Sequence, residues 1–473
     1  MTAGRREWIA LAVLALPCVV YAMDLTVLNL ALPALSADLR PSSVQQLWIV
    51  DVYGFMVAGL LITMGALGDR IGRRRLLLIG AAGFGAASVL AAFSTSAGML
   101  IAARALLGVA GATVAPSTLS LITTLFNDPG ERTFAVGVWI TSYSAGAAIG
   151  PLAGGAMLQH FGWSSVFLLG LPVSVLLLVL GPRLLPEYRD PAGGRLDLAS
   201  AALSVLAVLA VVYGVKRGFD GIGLVAIAAG VAVGFVFVRR QQRSDDPLLD
   251  LALLRGRRFR VVLGANLIGF LALFGIDLLI AQYLQSVLGL SPWMAGVWSL
   301  PSALAFIIGA LLTTRLVRVV SPASAMIGGC CVAVAGFATV ALAGGLSGVV
   351  AGSFVLSLGL APVFTLAADL MSGSAPPERA GAASALNETS SELGGALGIA
   401  LLGSLAAAIF GPGTIGAAAG DPAAREAFTT ALHVTAGVAG ALVAVAAAAL
   451  VWIREPGARP CAAARSTRAG ASA

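Results

Sequence analysis

Charge is what this sequence has least of. Only 11% of its 473 residues are charged and histidine occurs twice, whereas ordinary soluble domains carry about a quarter charged residues. So thin a polar complement argues against a water-soluble globular enzyme and for a bilayer as solvent. Lysine is nearly absent, Lys216 standing alone, so the formal net charge of +7 rests on arginine. The arginines fall in short clusters between apolar runs rather than on one domain, which argues against a nucleic-acid partner. The four cysteines, Cys18, Cys330, Cys331 and Cys461, show no metal or disulfide spacing and read as packing residues or a free tail thiol. No metal cluster, Walker loop, nucleophile–base pair or extramembrane domain supports an enzyme, ATP drive or a cofactor.

Apolar residues make up 59% of the chain, and 58 residues are glycine. Arg5 and Arg6 precede an apolar run from Trp8 that continues past Asp24 to Leu32, which reads as a first membrane span rather than a cleaved leader. A helix rises ~1.5 Å per residue, so a ~30 Å hydrocarbon core takes about 20 apolar residues. Spans are expected near residues 8–32, 46–67, 76–94, 98–125, 133–157, 163–182, 198–216, 222–239, 259–288, 292–317, 322–343, 346–370, 379–410 and 427–453. Fourteen spans place both termini on one side. With the N-terminus inside, 24 of the 29 Lys and Arg residues fall on inner segments, 4 on outer ones, and Arg104 within a span. That bias fixes the expected orientation, with both termini cytoplasmic.

The inner link near 240–258 is the one segment long enough to be a linker. It divides the chain into an N-terminal six-helix bundle (1–197), an extra hairpin (198–239), a C-terminal six-helix bundle (259–453) and a tail (454–473). A faint internal repeat supports the two halves. Gly65 to Arg73 aligns with Ala310 to Arg318, matching Arg70 with Arg315 and Arg73 with Arg318. Parallel half-repeats of this kind build two-bundle carriers.

Between the second and third spans stands Gly65-Ala-Leu-Gly68-Asp69-Arg70-Ile-Gly72-Arg73-Arg74-Arg75. The glycines permit a tight inner turn, and Asp69 is placed to accept from the N-terminal NH groups of a helix across the bundle interface. This loop resembles the G-x-L-x-D-R-x-G-R-R segment of the major facilitator superfamily. Further segments resemble its fourteen-helix drug:proton antiporters, and the resemblance covers almost the whole chain. In the first span these are Met23-Asp24-Leu-Thr26-Val-Leu-Asn29-Leu-Ala31-Leu-Pro33, and in the fourth the arginine motif around Arg104. The fifth span contains Gly146-Ala-Ala-Ile-Gly150-Pro151-Leu-Ala-Gly154-Gly155, similar to the antiporter signature of drug exporters. Glu388-Thr-Ser-Ser-Glu392 in the thirteenth span looks like the segment of the quaternary-ammonium and dye exporters. Two departures stand out: Trp163-Ser164-Ser165 replaces the usual Trp-Arg-Trp, and span 322–343 lacks the carboxylate that drug-cation exporters often carry.

Six ionisable residues lie within spans or at their margins: Asp24, Asp51, Arg104, Asp277, Glu388 and Glu392. Charges in hydrocarbon are expensive and default to functional candidates. Asp24 and Arg104 lie at similar depths, where they could pair. Asp51 lies about five residues into the second span, close enough to the surface that a solvated or structural role is as fitting as a functional one. Glu388 and Glu392, four apart, share a helical face. His433 reads as a packed or interfacial residue, and Asn29, Asn266 and Asn387 as polar glue. The expected protein is an all-α carrier of the major facilitator fold, a monomer driven by the proton gradient without a cofactor. It would export lipophilic, cationic compounds, with protons, such a small molecule and the bilayer as partners. A specific neutral or zwitterionic antibiotic or metabolite is the alternative cargo, and a polytopic enzyme or sensor the alternative class.

Overall fold

The computed structural model describes residues 3–126, 128–187, 197–217, 220–243, 253–374, 380–410 and 421–453; among them every regular element is helical. In chain order the helices are α1 (Arg5–Leu39), α2 (Ser43–Ile71), α3 (Arg73–Ala92), α4 (Ala97–Gly111), α5 (Val114–Leu125), α6 (Pro129–Phe161), α7 (Ser165–Leu168) and α8 (Leu171–Leu184). There follow α9 (Leu198–Lys216), α10 (Gly221–Arg243), α11 (Arg257–Gln282), α12 (Pro292–Leu316), α13 (Pro322–Leu342), α14 (Gly345–Ser374), α15 (Ala380–Phe410) and α16 (Pro422–Val451). Side chains at the helix starts supply acceptors for the first free NH groups. Ser42, Ser96, Asp128, Asp197, Ser291, Ser321 and Asp421 all cap in this way.

Twelve helical stretches among the described residues are long and apolar enough to cross a membrane. The apolar part of α9, Ala199–Val215, falls short of that length. Glycine, serine and threonine along the 33 residues of α6 dilute its hydropathy. Two expected spans are broken. The stretch 98–125 divides into α4 and α5 around Ala112 and Thr113, because Pro116 has no NH to give to the Ala112 carbonyl. The stretch 163–182 divides into α7 and α8, where Pro172 imposes the same loss on Leu168. The ninth expected span closes on a π-helical turn, Tyr283–Val287.

The helices pack in two groups. In the first, α1 lies against α5, α6 and α8, α2 against α4, and α3 against α4 and α8. In the second, α11 lies against α15 and α16, α13 against α14 and α16, and α12 against α14. The seam between them is made by α2 on α15 and by α6 on α12. The hairpin of α9 and α10 lies outside both groups. Helix α9 rests on α2 and on α15, so it bridges the seam, and Val212 is buried there with Phe55, Ala396 and Ala400. Its far partner α10 turns Val225, Val231 and Phe235 outward, the apolar exposure that suits a lipid-facing helix. Arg240 ties the base of the hairpin to Asp197 with a two-pronged contact, Nε to Oδ2 and Nη2 to Oδ1, both 2.9 Å. That guanidinium holds the Asp197 carboxyl well below the usual carboxylate range.

Candidate functional site: ionisable groups at the helix seam

Arg104 is 1% exposed and heads the fully buried side chains by size. An isolated arginine at this depth costs at least ~2.5 kcal/mol, and α1 and α2 supply what compensates it. Its Nη1 meets Asp24 Oδ2 at 2.5 Å, and its Nε donates to the Ile49 carbonyl at 3.1 Å. Its guanidinium carbon lies 4.7 Å over the ring of Tyr53, a cation–π contact in a desolvated setting. The depth match between residues 24 and 104 is therefore realised as a direct ion pair.

Of the roles left open for Asp51, its burial removes the solvated one. It is 1% exposed, buried rather than solvated near the surface. Helix α2 begins at Ser43 rather than at residue 46, which puts Asp51 eight residues, about 12 Å, along the helix. The carbonyls of Ile49 and Val50 just before it are those that receive Arg104.

Glu388 and Glu392 share a face of α15, as their spacing requires. The structure separates their surroundings. The Tyr21 hydroxyl of α1 donates to Glu392 Oε1 at 2.5 Å, across the seam. Glu388 makes no hydrogen bond or ion pair among the described residues. Asp277, partly buried on α11, likewise has no polar partner among them. On the α11 face of α15, Asn266 donates to the Ser391 hydroxyl at 3.0 Å and Ser390 to the Leu263 carbonyl at 3.2 Å. These fix the rotation of α15 and leave its carboxylates toward the first helix group.

The loop motif folds back on its own hairpin. Asp69 pairs with Arg73 at 2.5 Å, and Arg73 also donates to the Pro116 carbonyl at 3.3 Å. Asp69 thus finds a charge four residues on rather than helix NH groups across the interface. Gly72 has φ 109°, a conformation that glycine adopts at no steric cost. Gly68 lies under Arg73, where a Cβ would come 2.9 Å from its Cδ. A Cβ on Gly65 would meet only Pro116 at 3.7 Å, and Arg70 is exposed in the last turn of α2. Arg315 occupies the same place in the last turn of α12.

The glycine motif of α6 serves two interfaces. Added Cβ atoms on Gly146, Gly150 and Gly154 would fall 2.3 Å from Val19 O, 2.2 Å from Thr26 Oγ1 and 2.2 Å from Val27 Cγ2. These three glycines let α6 approach α1 beside Asp24. Gly155 turns the other way, its Cβ position 2.6 Å from Pro292 O, and the Pro151 carbonyl backs onto Gly296 of α12. The motif therefore closes the seam as well as packing its own group. Leu47 on Gly403 and Gln285 on the Leu30 carbonyl, at 3.1 Å, close the same end.

An apolar recess of about 670 Å³ lies between α12 and α14 beside Trp298, Pro301 and Phe354. No ionisable group lines it, so the charged seam and this apolar recess are separate features. Sequence reasoning missed Tyr21, and it marked the segments that end at Tyr53 and Gln285 without giving either residue a role. Tyr21 had a signal in its spacing, one helical turn before Asp24.

Residues 14–399 match the sequence profile of the Major Facilitator Superfamily. The chain is 46% identical over 412 residues to the multidrug efflux pump LfrA of Mycolicibacterium smegmatis, covering 86% of this chain and 82% of that protein. It is 36% identical to the methyl viologen resistance protein SmvA of Salmonella typhimurium, over 85% and 82% of the two chains. The puromycin resistance protein pur8 of Streptomyces alboniger is 35% identical, over 95% and 91%. Among solved structures, a bacterial homologue of the human lysosomal transporter Spinster, inward-facing and unoccupied, superposes with a TM-score of 0.68 at 18% identity, covering 95% of this chain and 97% of that one. Apolar helices long enough to span a bilayer, two packed groups and these likenesses agree: the chain is a multi-pass membrane protein that belongs to the Major Facilitator Superfamily.

Proposed function

We propose that this protein is a proton-coupled antiporter that exports lipophilic cations across the cytoplasmic membrane by alternating access. The single observation that carries the reading is the Glu392 carboxylate at the seam between the helix groups, in contact with α1. A carboxylate there serves two competing ligands. It attracts an organic cation when ionised, and it gives that cation up when protonated from the other side. Asp24 and Arg104 stand together in the first helix group as a buried ion pair. Glu388 and Asp277 provide further acidic positions in the same apolar setting. LfrA and SmvA, efflux and viologen-resistance proteins, support both the direction and the charge of the cargo.

Fourteen spans complete this reading, with α6 and α9 added to the twelve and both termini cytoplasmic as the arginine distribution requires. Residues 1–197 and 259–453 are the moving halves, 198–239 the extra hairpin and 240–258 their linker. In this arrangement the end of the seam closed by Leu30, Leu47, Gly155, Pro292 and Gly403 is the outer end. The glycine motif of α6 belongs to the outer closure and the Gly65–Arg73 turn to the inner gate. A second reading, export of a specific neutral or zwitterionic antibiotic, draws on pur8 and on the absence of a carboxylate from α13.

Everted membrane vesicles holding the full chain test the proposal. An imposed pH gradient, acid inside, should drive a lipophilic cationic dye or methyl viologen inward, with collapse by a protonophore. Glu392→Gln should abolish cation movement. Movement of puromycin but of no cation would favour the second reading, and no proton-dependent movement of either would sink both.

A further inference from the structure

The Tyr21–Glu392 contact joins two helices that the proposed cycle must separate. Tyr21 stands on α1 in the first helix group and Glu392 on α15 in the second. Tyr21 is 4% exposed, its ring held 6.0 Å from that of Tyr53 and 5.6 Å from that of Tyr143. From between those rings the phenol donates to Glu392 Oε1 at 2.5 Å.

Its depth follows from both helices independently. Tyr21 is nine residues from Leu30, whose carbonyl accepts from Gln285 at the closed end; at ~1.5 Å per residue that is about 14 Å. Glu392 is eleven residues from Gly403, which meets Leu47 at the same end, or about 16 Å. The bond therefore lies at the floor of the closed part of the seam. Above it the contacts between the groups are apolar side chains, close backbone and the Gln285 amide on the Leu30 carbonyl. Here a side-chain donor meets a side-chain carboxylate.

We infer that Tyr21 is a positioning residue that latches the closed end of the seam through Glu392. This rests on the proposed role of Glu392 and deepens it. A phenol has one proton to donate, and an ionised carboxylate is its best acceptor. With Glu392 ionised, the bond holds α1 to α15 and the end stays shut. A proton or a cation at Glu392 competes for the same oxygen, and the latch weakens. Tyr21 thus ties occupancy of the carboxylate to the separation of the halves, and the ring contacts alone would not do so.

The test reads opening rather than transport. Cys18, Cys330, Cys331 and Cys461 are first replaced in the full chain, and a reporter cysteine is placed at Gly403, which is buried at the closed end. The rate at which a membrane-impermeant maleimide labels it measures the open fraction. Tyr21→Phe, which keeps the ring and loses the donor, should raise that rate on the order of tenfold, the size expected for a lost hydrogen bond to a charged group. Glu392→Gln should raise it likewise, and the double variant no further than either alone. Wild-type labelling in Tyr21→Phe, or a double variant showing the product of the two effects, overturns the inference. Tyr21→Leu, which also loses the ring, separates packing from donation: an effect there with none in Tyr21→Phe assigns the residue to packing. Labelling needs no export, so the non-additive pattern with no proton-driven cation movement in vesicles would count against the antiporter and not against the latch.

Discussion

At the scale of single residues, the pair of Asp24 and Arg104 shows what a sequence discloses about a membrane interior. An arginine within a span must find a counter-charge or water, so its partner was legible from depth alone. Tyr21 was not, because a buried phenol makes no comparable electrostatic demand and passes for packing. The depth of Asp51 was left open as well, since helix ends set by a polar cap such as Ser42 are invisible to a count of apolar residues. The ion pair gives a first prediction. Arg104→Ala leaves a buried carboxylate without its cation, a change that typically costs about 3–5 kcal/mol. It should lower the thermal midpoint in detergent and abolish transport. Asp24→Asn in the same chain should restore part of the midpoint, because it removes the stranded charge. Equal and additive losses in a thermal-shift measurement would show that the two side chains are energetically independent.

At the scale of the helix, glycine position matters more than glycine number. Gly150 and Gly137 lie on the same helix, α6, yet only the first is pressed against a neighbour. A Cβ at 150 would fall 2.2 Å from Thr26 Oγ1 and 3.1 Å from the Met23 carbonyl, whereas one at 137 meets nothing within 4 Å. Gly150→Ala should therefore push α6 off α1, at about 1–3 kcal/mol for overpacking. Gly137→Ala should be neutral or gain up to ~1 kcal/mol from helix propensity. Thermal midpoints of the two variants, measured side by side, check the contrast, and equal midpoints would refute the close approach. The stripe was legible as small-residue spacing, but its division between α1 and α12 was not. Which way Gly155 faces depends on where a second helix group stands. The hairpin base gives a prediction in pH. Arg240 depresses the Asp197 carboxyl, so the bond is present above the ordinary carboxylate pKa of about 3.9. It is lost only as pH falls through the lower folded value. Asp197→Asn should lower the midpoint by the same amount at pH 8 and at pH 5, and a deficit confined to pH 8 would contradict the depressed carboxyl.

At the scale of the whole molecule, the helical class and the run of spans were legible because hydrocarbon thickness dictates element length. Where the hairpin lies was not legible, since lateral packing among apolar helices is decided by small residues meeting in three dimensions. The hairpin bridges the seam, but its two contacts differ in kind. On α2 it is intimate: the Ser204 hydroxyl donates to the Gly59 carbonyl at 3.2 Å, and a Cβ on Gly59 would lie 3.4 Å from Val205 Cβ. On α15 it is a smooth apolar surface of Val212 against Ala396 and Ala400, with no polar bond across it among the described residues. A helix bound this way should ride with α2 and slide over α15 as the halves rock. Two disulfides separate these roles, each in a chain whose native cysteines have been replaced. Gly59→Cys with Val205→Cys lies near the ~3.8 Å Cβ separation that a disulfide needs, and it joins parts that move together. Transport should survive its oxidation. Leu47→Cys with Gly403→Cys joins α2 to α15 at the closed end, where a Cβ at 403 would be 2.9 Å from the Leu47 side chain. Oxidation there should arrest dye movement in vesicles, and dithiothreitol should restore it. Arrest by the Gly59–Val205 bond would mean instead that the hairpin parts from α2 in every cycle, with α15 as the surface to which it stays attached.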